Sequence, residues 1–352
     1  MVDYLYYIPQ FLPLAKELQK RNLDFLFILP KKKKRDIIPT LDIAIKVCEE
    51  HNIVYRVEED PNAFTTCNYL ISGSNSFPET KIAFDQSVLI VHGVGTKSGY
   101  FTEEQNKYDI RFVEGEFRYR KIKELYPDYK GIIENVGFSK LDDVINMDQE
   151  ERNFLFKKYN LDPNKETILY APTFYPSSIE KMSKDFPKEF ENYNILIKPH
   201  YFSYLRKKYR KQRKLLERWN RYNNVFVAGI EEYNLVPFFA LSDIMISDES
   251  SAIFEFAALD KPVICNQFLH YRLKYRLFKS KINKKMDSNM TKFKEIAECV
   301  DSYKDLKKNV VKYLKNPNLK EDIRKQYTKE IIGPTDGNVA KRMLEILLKT
   351  AK

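Results

Sequence analysis

The chain has 352 residues, is 43% hydrophobic and carries a formal net charge of +11 at pH 7. This length favours two domains of ordinary size over one. The apolar content, which includes 24 Tyr and 24 Phe, excludes a disordered protein. No apolar run reaches the ~20 residues of a membrane-spanning helix, and the N-terminus lacks the pattern of a signal peptide. We therefore expect a cytoplasmic protein.

Positive charge is concentrated in three segments, residues 31–35, 206–214 and 271–285. Nucleic acid, anionic lipid or a polyanionic substrate would each account for such segments, although a single one is more typical of a solvated helix face. Three together favour a polyanion or a membrane surface. No nucleic-acid-binding motif is present, so we expect no nucleic acid partner.

Cysteine usage argues against a metal or disulfide framework. The four cysteines are scattered, form no CxxC pair and are accompanied by only four histidines. This pattern indicates neither a zinc site nor disulfide bonds. We expect no metal and no cofactor.

The first half alternates short apolar runs with amphipathic stretches, as in an α/β domain with a parallel sheet. The predicted helices include 13–21 and 39–51, and a domain boundary is expected within 137–149. The predicted strands of this half are 4–8, 25–29, 53–57, 69–72, 88–91, 110–113 and 132–136.

The second half repeats this alternation, and the tail 301–352 is predicted to be helical with a break at 331–338. The sequence thus predicts two doubly wound domains, 1–145 and 146–330, and a last helix in 331–352 that could pack back on the first domain. The predicted strands are 167–170, 195–198, 225–228, 244–247 and 263–265, and the predicted helices include 204–219, 235–241 and 252–259.

Ligands of open α/β sheets bind at the carboxyl ends of the strands, so the polar residues that follow each strand are the candidates for a site. His92 follows the strand 88–91 and precedes Gly93 and Gly95. Glycines let backbone amides approach a ligand closely, and a histidine there could act as an acid or a base. The alternative is an ordinary hydrogen-bonded loop histidine.

The segment 246–264 places Ser250 and Ser251 where a predicted helix begins. Their hydroxyls and the unpaired N–H groups of the first turn converge on one point, which attracts phosphate. Glu255 lies four and five residues further on and could accept hydrogen bonds from a ribose. A nucleoside diphosphate would fit both features. The alternative is an ordinary N-cap and a solvated glutamate.

Two further strand ends carry polar residues. Thr173 follows the strand 167–170, and Lys198 and His200 flank Pro199 after another strand. Two of the four histidines thus occupy strand ends, one in each predicted domain. This placement favours an active site between the domains.

Five motifs occur in order, HGVGTK, NVGFSKLD, YAPTFYPSS, KPH and SDESSAIFEFAALDKPVI. Together they resemble the CDP-glycerol glycerophosphotransferase family of teichoic acid and capsule synthesis, whose members have the GT-B fold of two Rossmann-like domains facing across a cleft. The resemblance covers about residues 91–266, half the chain. HGVGTK replaces the family's HGTPLK, and Tyr175 replaces its Arg after YAPT. Both departures bear on the identity of the transferred group.

The resemblance implies a role for each candidate residue. His92 would deprotonate the acceptor hydroxyl, within an acceptor-side loop that includes Gly93, Gly95 and Lys97. The donor diphosphate and its ribose would be bound by His200, Thr173, Lys198, Ser250, Ser251 and Glu255. No metal would be required.

The expected reaction transfers an alditol phosphate, with glycerol phosphate as the first choice, from a CDP-alditol donor. The acceptor would be an anionic glycopolymer or a lipid-linked precursor, and the enzyme would lie peripherally on the inner face of the cell membrane. Two alternatives stay open. One is a GT-B enzyme for a nucleotide sugar, either a glycosyltransferase or a UDP-sugar 2-epimerase. The other is a basic nucleic-acid-binding protein.

Overall fold

A computed structural model describes residues 1–2, 5–30, 40–58, 66–80, 82–95, 98–271 and 295–351. These residues form two compact units, one of Met1–Ile145 with Lys329–Lys352 and the other of Asn146–Thr328. The basic segment 31–35 and, apart from Tyr271, the segment 271–285 lie outside the described residues.

The first unit contains two parallel sheets. Strands β1 (Phe27–Pro30) and β2 (Tyr55–Glu58) pair with each other. A four-stranded sheet has the order β3-β4-β5-β6, and its strands are β3 (Thr66–Ser72), β4 (Ala83–Ile90), β5 (Ile110–Val113) and β6 (Ile132–Asn135). The helices up to residue 145 are α1 (Ile8–Lys20), α2 (Thr40–Glu50), α3 (Gly115–Leu125) and α4 (Asp142–Ile145). All of β5 is buried, as expected for a parallel strand covered on both faces.

The prediction of a strand at 4–8 is wrong, because Leu5–Tyr7 is a 3-10 turn and α1 begins at Ile8. Pro9 lies in the first turn of α1, where its missing N–H breaks no helical bond. The apolar residues of this segment belong to a stripe with helical spacing, and its buried members include Ile8, Phe11, Leu12 and Ala15.

The second unit contains one six-stranded parallel sheet with the order β12-β11-β10-β7-β8-β9. Its strands are β7 (Thr167–Ala171), β8 (Asn194–Ile197), β9 (Val225–Val227), β10 (Ile244–Ser247), β11 (Val263–Asn266) and β12 (Glu298–Val300). Counted within this unit, the order is that of a doubly wound Rossmann sheet, in which successive strands are added outward from β7 in one direction and from β10 in the other. β12 was not among the predicted strands, because it has only three residues and the first of them is charged.

The predicted helix 204–219 is interrupted. Arg206 has an extended backbone, and its carbonyl, with those of Ser203 and Tyr204, accepts a hydrogen bond from Arg213. The segment therefore forms α7 and α8, separated by a 3-10 turn at Lys207–Tyr209. The helices described between residues 146 and 331 are α5 (Gln149–Lys158), α6 (Phe186–Glu189), α7 (Phe202–Leu205), α8 (Arg210–Trp219), α9 (Val236–Leu241), α10 (Ala252–Ala257), α11 (Tyr303–Lys315) and α12 (Glu321–Ile331).

The last helix, α13 (Val339–Thr350), packs against α1. The buried Asp142 carboxylate accepts hydrogen bonds from the first two backbone N–H groups of α13, those of Val339 (3.2 Å) and Ala340 (2.8 Å). These bonds satisfy N–H groups that a helix start otherwise leaves unpaired. The terminal helix is thereby fixed to the first unit.

Candidate functional site

His92 lies in the loop that follows β4 and is held there by its ring. Its Nδ1 is 2.9 Å from the carbonyl oxygen of Gly73, and its ring stacks on that of Tyr7 with centroids 4.4 Å apart. Because a carbonyl only accepts, Nδ1 must carry the proton, and Nε2 is the basic nitrogen of the neutral ring. Lys97, predicted in the same loop, lies outside the described residues.

The glycines after His92 allow close packing of the loop. A Cβ at Gly93 would lie 2.2 Å from the hydroxyl of Tyr100, and Gly95 has φ +113°, a conformation that favours glycine. The buried Arg118 donates to the carbonyl oxygens of Gly93 (2.9 Å) and Gly95 (3.4 Å) and pairs with the buried Glu114. The loop that carries His92 is therefore fixed by an internal ion pair.

In the second unit, the carboxyl ends of β10, β7 and β8 lie side by side, because these strands are neighbours in the sheet. The loops after β10 and β7 are joined by Asp248, which is fully buried. Its carboxylate accepts hydrogen bonds from the backbone N–H groups of Thr173 (2.9 Å) and Ser178 (3.3 Å) and from the Ser178 hydroxyl (2.5 Å). Burial raises the pKa of Asp248 to about 6.

Sequence reasoning missed Asp248, although it stands inside the motif that contains Ser250 and Ser251. An acidic residue directly after a fully buried strand was the available signal.

His200 lies after β8 against the ring of Phe174, with centroids 4.6 Å apart. Burial, with the nearby charges of Lys198 and Arg206, lowers the pKa of His200 to about 4. The ring is therefore neutral at pH 7. Its Nδ1 accepts a hydrogen bond from the N–H of Phe202 at 3.2 Å, so Nε2 must carry the proton. His200 is a neutral hydrogen-bond donor at its distal nitrogen.

The two histidines therefore have opposite tautomers. His92 presents a basic Nε2, and His200 presents an Nε2–H group, each set by one contact with the backbone. A basic nitrogen can take a proton from a hydroxyl, and an N–H donor beside cationic side chains can bind a phosphate oxygen. This difference separates a general base from an anion-binding group.

Ser250 and Ser251 lie between β10 and α10, and Ser251 is the N-cap residue. The Ser251 hydroxyl makes no capping bond to α10, and the Ser250 hydroxyl accepts only a long one, 3.3 Å from the N–H of Ala252. The interpretation as an ordinary N-cap is therefore weak. Glu255 is 5% exposed, which excludes a solvated helix residue.

The hydroxyl of Thr173 points into the protein. It donates to the carbonyl oxygen of Pro176 and lies 3.2 Å from the Asp248 carboxylate. Lys198 directly follows β8, and its backbone N–H donates to the carbonyl oxygen of Tyr170 at 2.9 Å. Direct donor binding by Thr173 and Lys198 stays a prediction.

Within the described residues, no three His, Cys, Asp or Glu side chains are grouped so as to hold a metal ion. In the same part of the chain, no helix has the length and apolar character needed to cross a membrane.

A GT-B protein contains two units of this kind, each built on parallel sheets, and comparison with known proteins supports this class. A model of the family described as CDP-glycerol:poly(glycerophosphate) glycerophosphotransferase matches residues 45–349, and the chain belongs to that family. The teichoic acid glycerol-phosphate primase of Bacillus spizizenii is 32% identical over 122 residues. That match covers 33% of this chain and only 29% of the primase.

Solved structures show the same fold. The wall teichoic acid polymerase TagF is 17% identical, with a TM-score of 0.66 over 96% of this chain and 84% of that chain. UDP-GlcNAc 2-epimerase from Neisseria meningitidis, bound to UDP-GlcNAc, is 14% identical, with a TM-score of 0.58 over 98% of both chains. The predictions of the GT-B fold and of membership in the glycerophosphotransferase family are confirmed.

Proposed function

We propose that the protein transfers an alditol phosphate, with glycerol phosphate as the first choice, from a CDP-activated donor to a hydroxyl of a cell-surface glycopolymer or its lipid-linked precursor. Family membership supports the reaction class. A variant of TagF has been studied after soaking with CDPG, which supports the choice of donor. The observation that carries the proposal is the pair of histidines with opposite tautomers.

In the proposed reaction, Nε2 of His92 takes the proton of the acceptor hydroxyl. The hydroxyl oxygen attacks the phosphorus that carries the alditol and forms a new phosphodiester bond. The bond from this phosphorus to the oxygen bridging the two phosphates breaks, and CMP leaves with that oxygen. Positioned general bases of this kind typically contribute 10²–10⁴-fold to a rate.

The second unit would bind the donor. Nε2–H of His200, the hydroxyls of Ser250 and Ser251 and the charge of Lys198 are the groups we assign to the diphosphate, and Glu255 to the ribose. Negative charge that develops on the leaving CMP would be stabilised by these fixed donors. On this basis we propose that the reaction requires no metal ion.

We also propose that the enzyme works at the inner face of the membrane. The basic segments 31–35, 206–214 and 271–285 would attract anionic lipid as well as the anionic acceptor. Among these, Lys207, Lys208 and Lys211 are exposed on the second unit.

Donor binding and transfer, measured separately, test the proposal. We expect His92→Ala to lower kcat at least 100-fold while leaving the Kd of CDP-glycerol nearly unchanged. His200→Ala should raise that Kd roughly tenfold, because a hydrogen bond to a charged group contributes ~1.5–3 kcal/mol. His51→Ala is the matched control, since the carbonyl oxygen of His51 accepts a hydrogen bond from Gln19 and the substitution keeps this backbone group.

Wild-type turnover by the His92 variant would show that the assigned base is wrong. Thermal stabilisation by UDP rather than by CDP or CMP would favour the nucleotide-sugar alternative. Loss of activity in EDTA that only a divalent ion restores would overturn the metal-free reaction.

A further inference from the structure

The carboxylate of Asp248 is fully buried, and the donors that form hydrogen bonds with it are neutral N–H and O–H groups. It accepts from the backbone N–H groups of Thr173 and Ser178 and from the Ser178 hydroxyl. Among the residues that the structure describes, no Lys or Arg forms an ion pair with it. A buried charge is costly without a cation. Asp248 accepts from the backbone N–H groups at both ends of the loop 173–178, so its carboxylate fixes that loop against the loop after β10.

The loop held by Asp248 leads directly to His200. Between Thr173 and Ser178 lies Phe174, whose ring packs against His200 and lies 5.1 Å from that of Phe202. The carbonyl oxygen of Phe174 accepts a hydrogen bond from Gln212 on α8 at 3.1 Å. Phe174 therefore has little freedom to move while the loop is held at both ends.

The other end of the network is equally defined. The hydroxyl of Ser178 lies 2.7 Å from that of Tyr170 on β7 and accepts from Asn266 on β11 at 3.0 Å. Asp248 itself stands two residues before Ser250 in the loop after β10. One carboxylate thus joins the serine loop to the loop that packs against His200.

We infer that Asp248 is the positioning residue of the donor site: it fixes loop 173–178 and, through Phe174, sets where the His200 ring stands relative to Ser250 and Ser251. Asp248 would not touch the donor. The inference rests on the proposed function only in taking these three residues as the diphosphate-binding groups.

The test is a double-mutant cycle on CDP-glycerol binding, measured by calorimetry. Asp248→Asn keeps the size of the side chain, but its amide nitrogen cannot accept from the loop N–H groups. We expect this variant to raise the Kd about tenfold. His200→Ala should do the same, and the double variant should bind no more weakly than His200→Ala alone, because the two residues act through one contact.

Asp142→Asn is the matched control. Asp142 is also buried, also accepts from two backbone N–H groups, and burial raises its pKa to about 6 as well. Since it fixes α13 in the first unit, its substitution should lower thermal stability without changing the Kd. A purely structural role for Asp248 would give the same pattern.

Wild-type affinity in Asp248→Asn, or a penalty that adds in full to that of His200→Ala, would overturn the inference. If Asp248→Asn does not fold, Ser178→Ala replaces it in the cycle, because it removes one donor to the carboxylate. We then expect Ser178→Ala to raise the Kd about threefold in the wild-type protein and to leave it unchanged in the His200→Ala variant. An equal rise in both backgrounds would overturn the inference. If wild-type protein does not bind CDP-glycerol, the proposed function fails instead.

Discussion

The depressed pKa of His200 should make the second unit less stable as the pH falls. The ring lies among Phe174, Tyr201 and Phe202, and the charges of Lys198 and Arg206 disfavour its protonation. The unfolded chain has the ordinary pKa of 6.5, whereas the folded value is about 4. Between these values the unfolded state binds the proton first, so protonation favours unfolding.

The size of this effect follows from the two pKa values. The contribution of neutral His200 is fully present above pH 6.5 and is lost as the pH falls towards 4. One pKa unit corresponds to ~1.36 kcal/mol. The free energy of unfolding should therefore fall by about 2 kcal/mol at pH 5 and by about 3 kcal/mol at pH 4 from this group alone.

Two carboxyl groups work in the opposite direction. Asp248 and Asp142 have pKa values raised to about 6, so their protonation below that pH favours the folded state. The pH dependence of the wild type mixes these signs. The difference between wild type and His200→Gln, measured at each pH, isolates the histidine because both proteins share the two aspartates.

Trp219 makes the measurement specific to one unit. It is the only tryptophan of the chain, and it is fully buried in the core of the second unit. Urea unfolding is followed by the fluorescence of Trp219. The difference in the free energy of unfolding between wild type and His200→Gln should change by about 2 kcal/mol between pH 7 and pH 5. The control, His51→Gln, changes the other unit. A difference that stays constant with pH would refute a neutral, buried His200.

Two other predictions concern the first unit and the basic segments. Arg118→Met should lower the melting temperature, because breaking a buried ion pair by removing one partner costs ~3–5 kcal/mol. It should also reduce kcat more than tenfold with an unchanged donor Kd, because the loop that carries His92 loses its hydrogen bonds from Arg118. Adding Glu114→Gln should restore part of the stability, and no recovery would contradict the ion-pair argument. Neutralising three bases within 272–285 should weaken sedimentation with anionic vesicles, reversibly by salt, more than neutralising three within 206–214. The former segment also contains Tyr, Leu and Phe. Equal binding to zwitterionic vesicles would refute this.

Strands that are apolar throughout were the easiest elements to predict. The bounds of β5 (Ile110–Val113) and β10 (Ile244–Ser247) were predicted to the residue, because both are continuous buried runs. The prediction of a strand at 4–8 was wrong because the aromatic residues of this segment favour a strand. The apolar spacing that marks α1 becomes visible only beyond this segment. The prediction of one continuous helix at 204–219 was wrong because the interruption depends on the hydrogen bonds of Arg213. No local sequence pattern shows the partners of this side chain.

The candidate site was only partly predictable for a similar reason. His92, His200, Ser250 and Ser251 stand out because each follows a buried strand. The role of Asp248 depends on Thr173 and Ser178, which are 75 and 70 residues away in the chain. Periodicity reveals which residues end a strand, but it does not show which loops meet there.

The opposite tautomers show why residue type alone could not assign the two histidines. Each ring is set by one backbone group, the carbonyl of Gly73 for His92 and the N–H of Phe202 for His200. Phe202 begins α7, and the N–H groups at a helix start lack intrahelical acceptors, so Nδ1 of His200 satisfies one of them. A proton on that nitrogen would break the bond and leave the N–H group without this acceptor. The contact that makes His200 a hydrogen-bond donor at Nε2 therefore also opposes its protonation, whereas protonation of His92 at Nε2 leaves its bond to Gly73 intact. Only His92 can take up a proton without losing the contact that orients its ring.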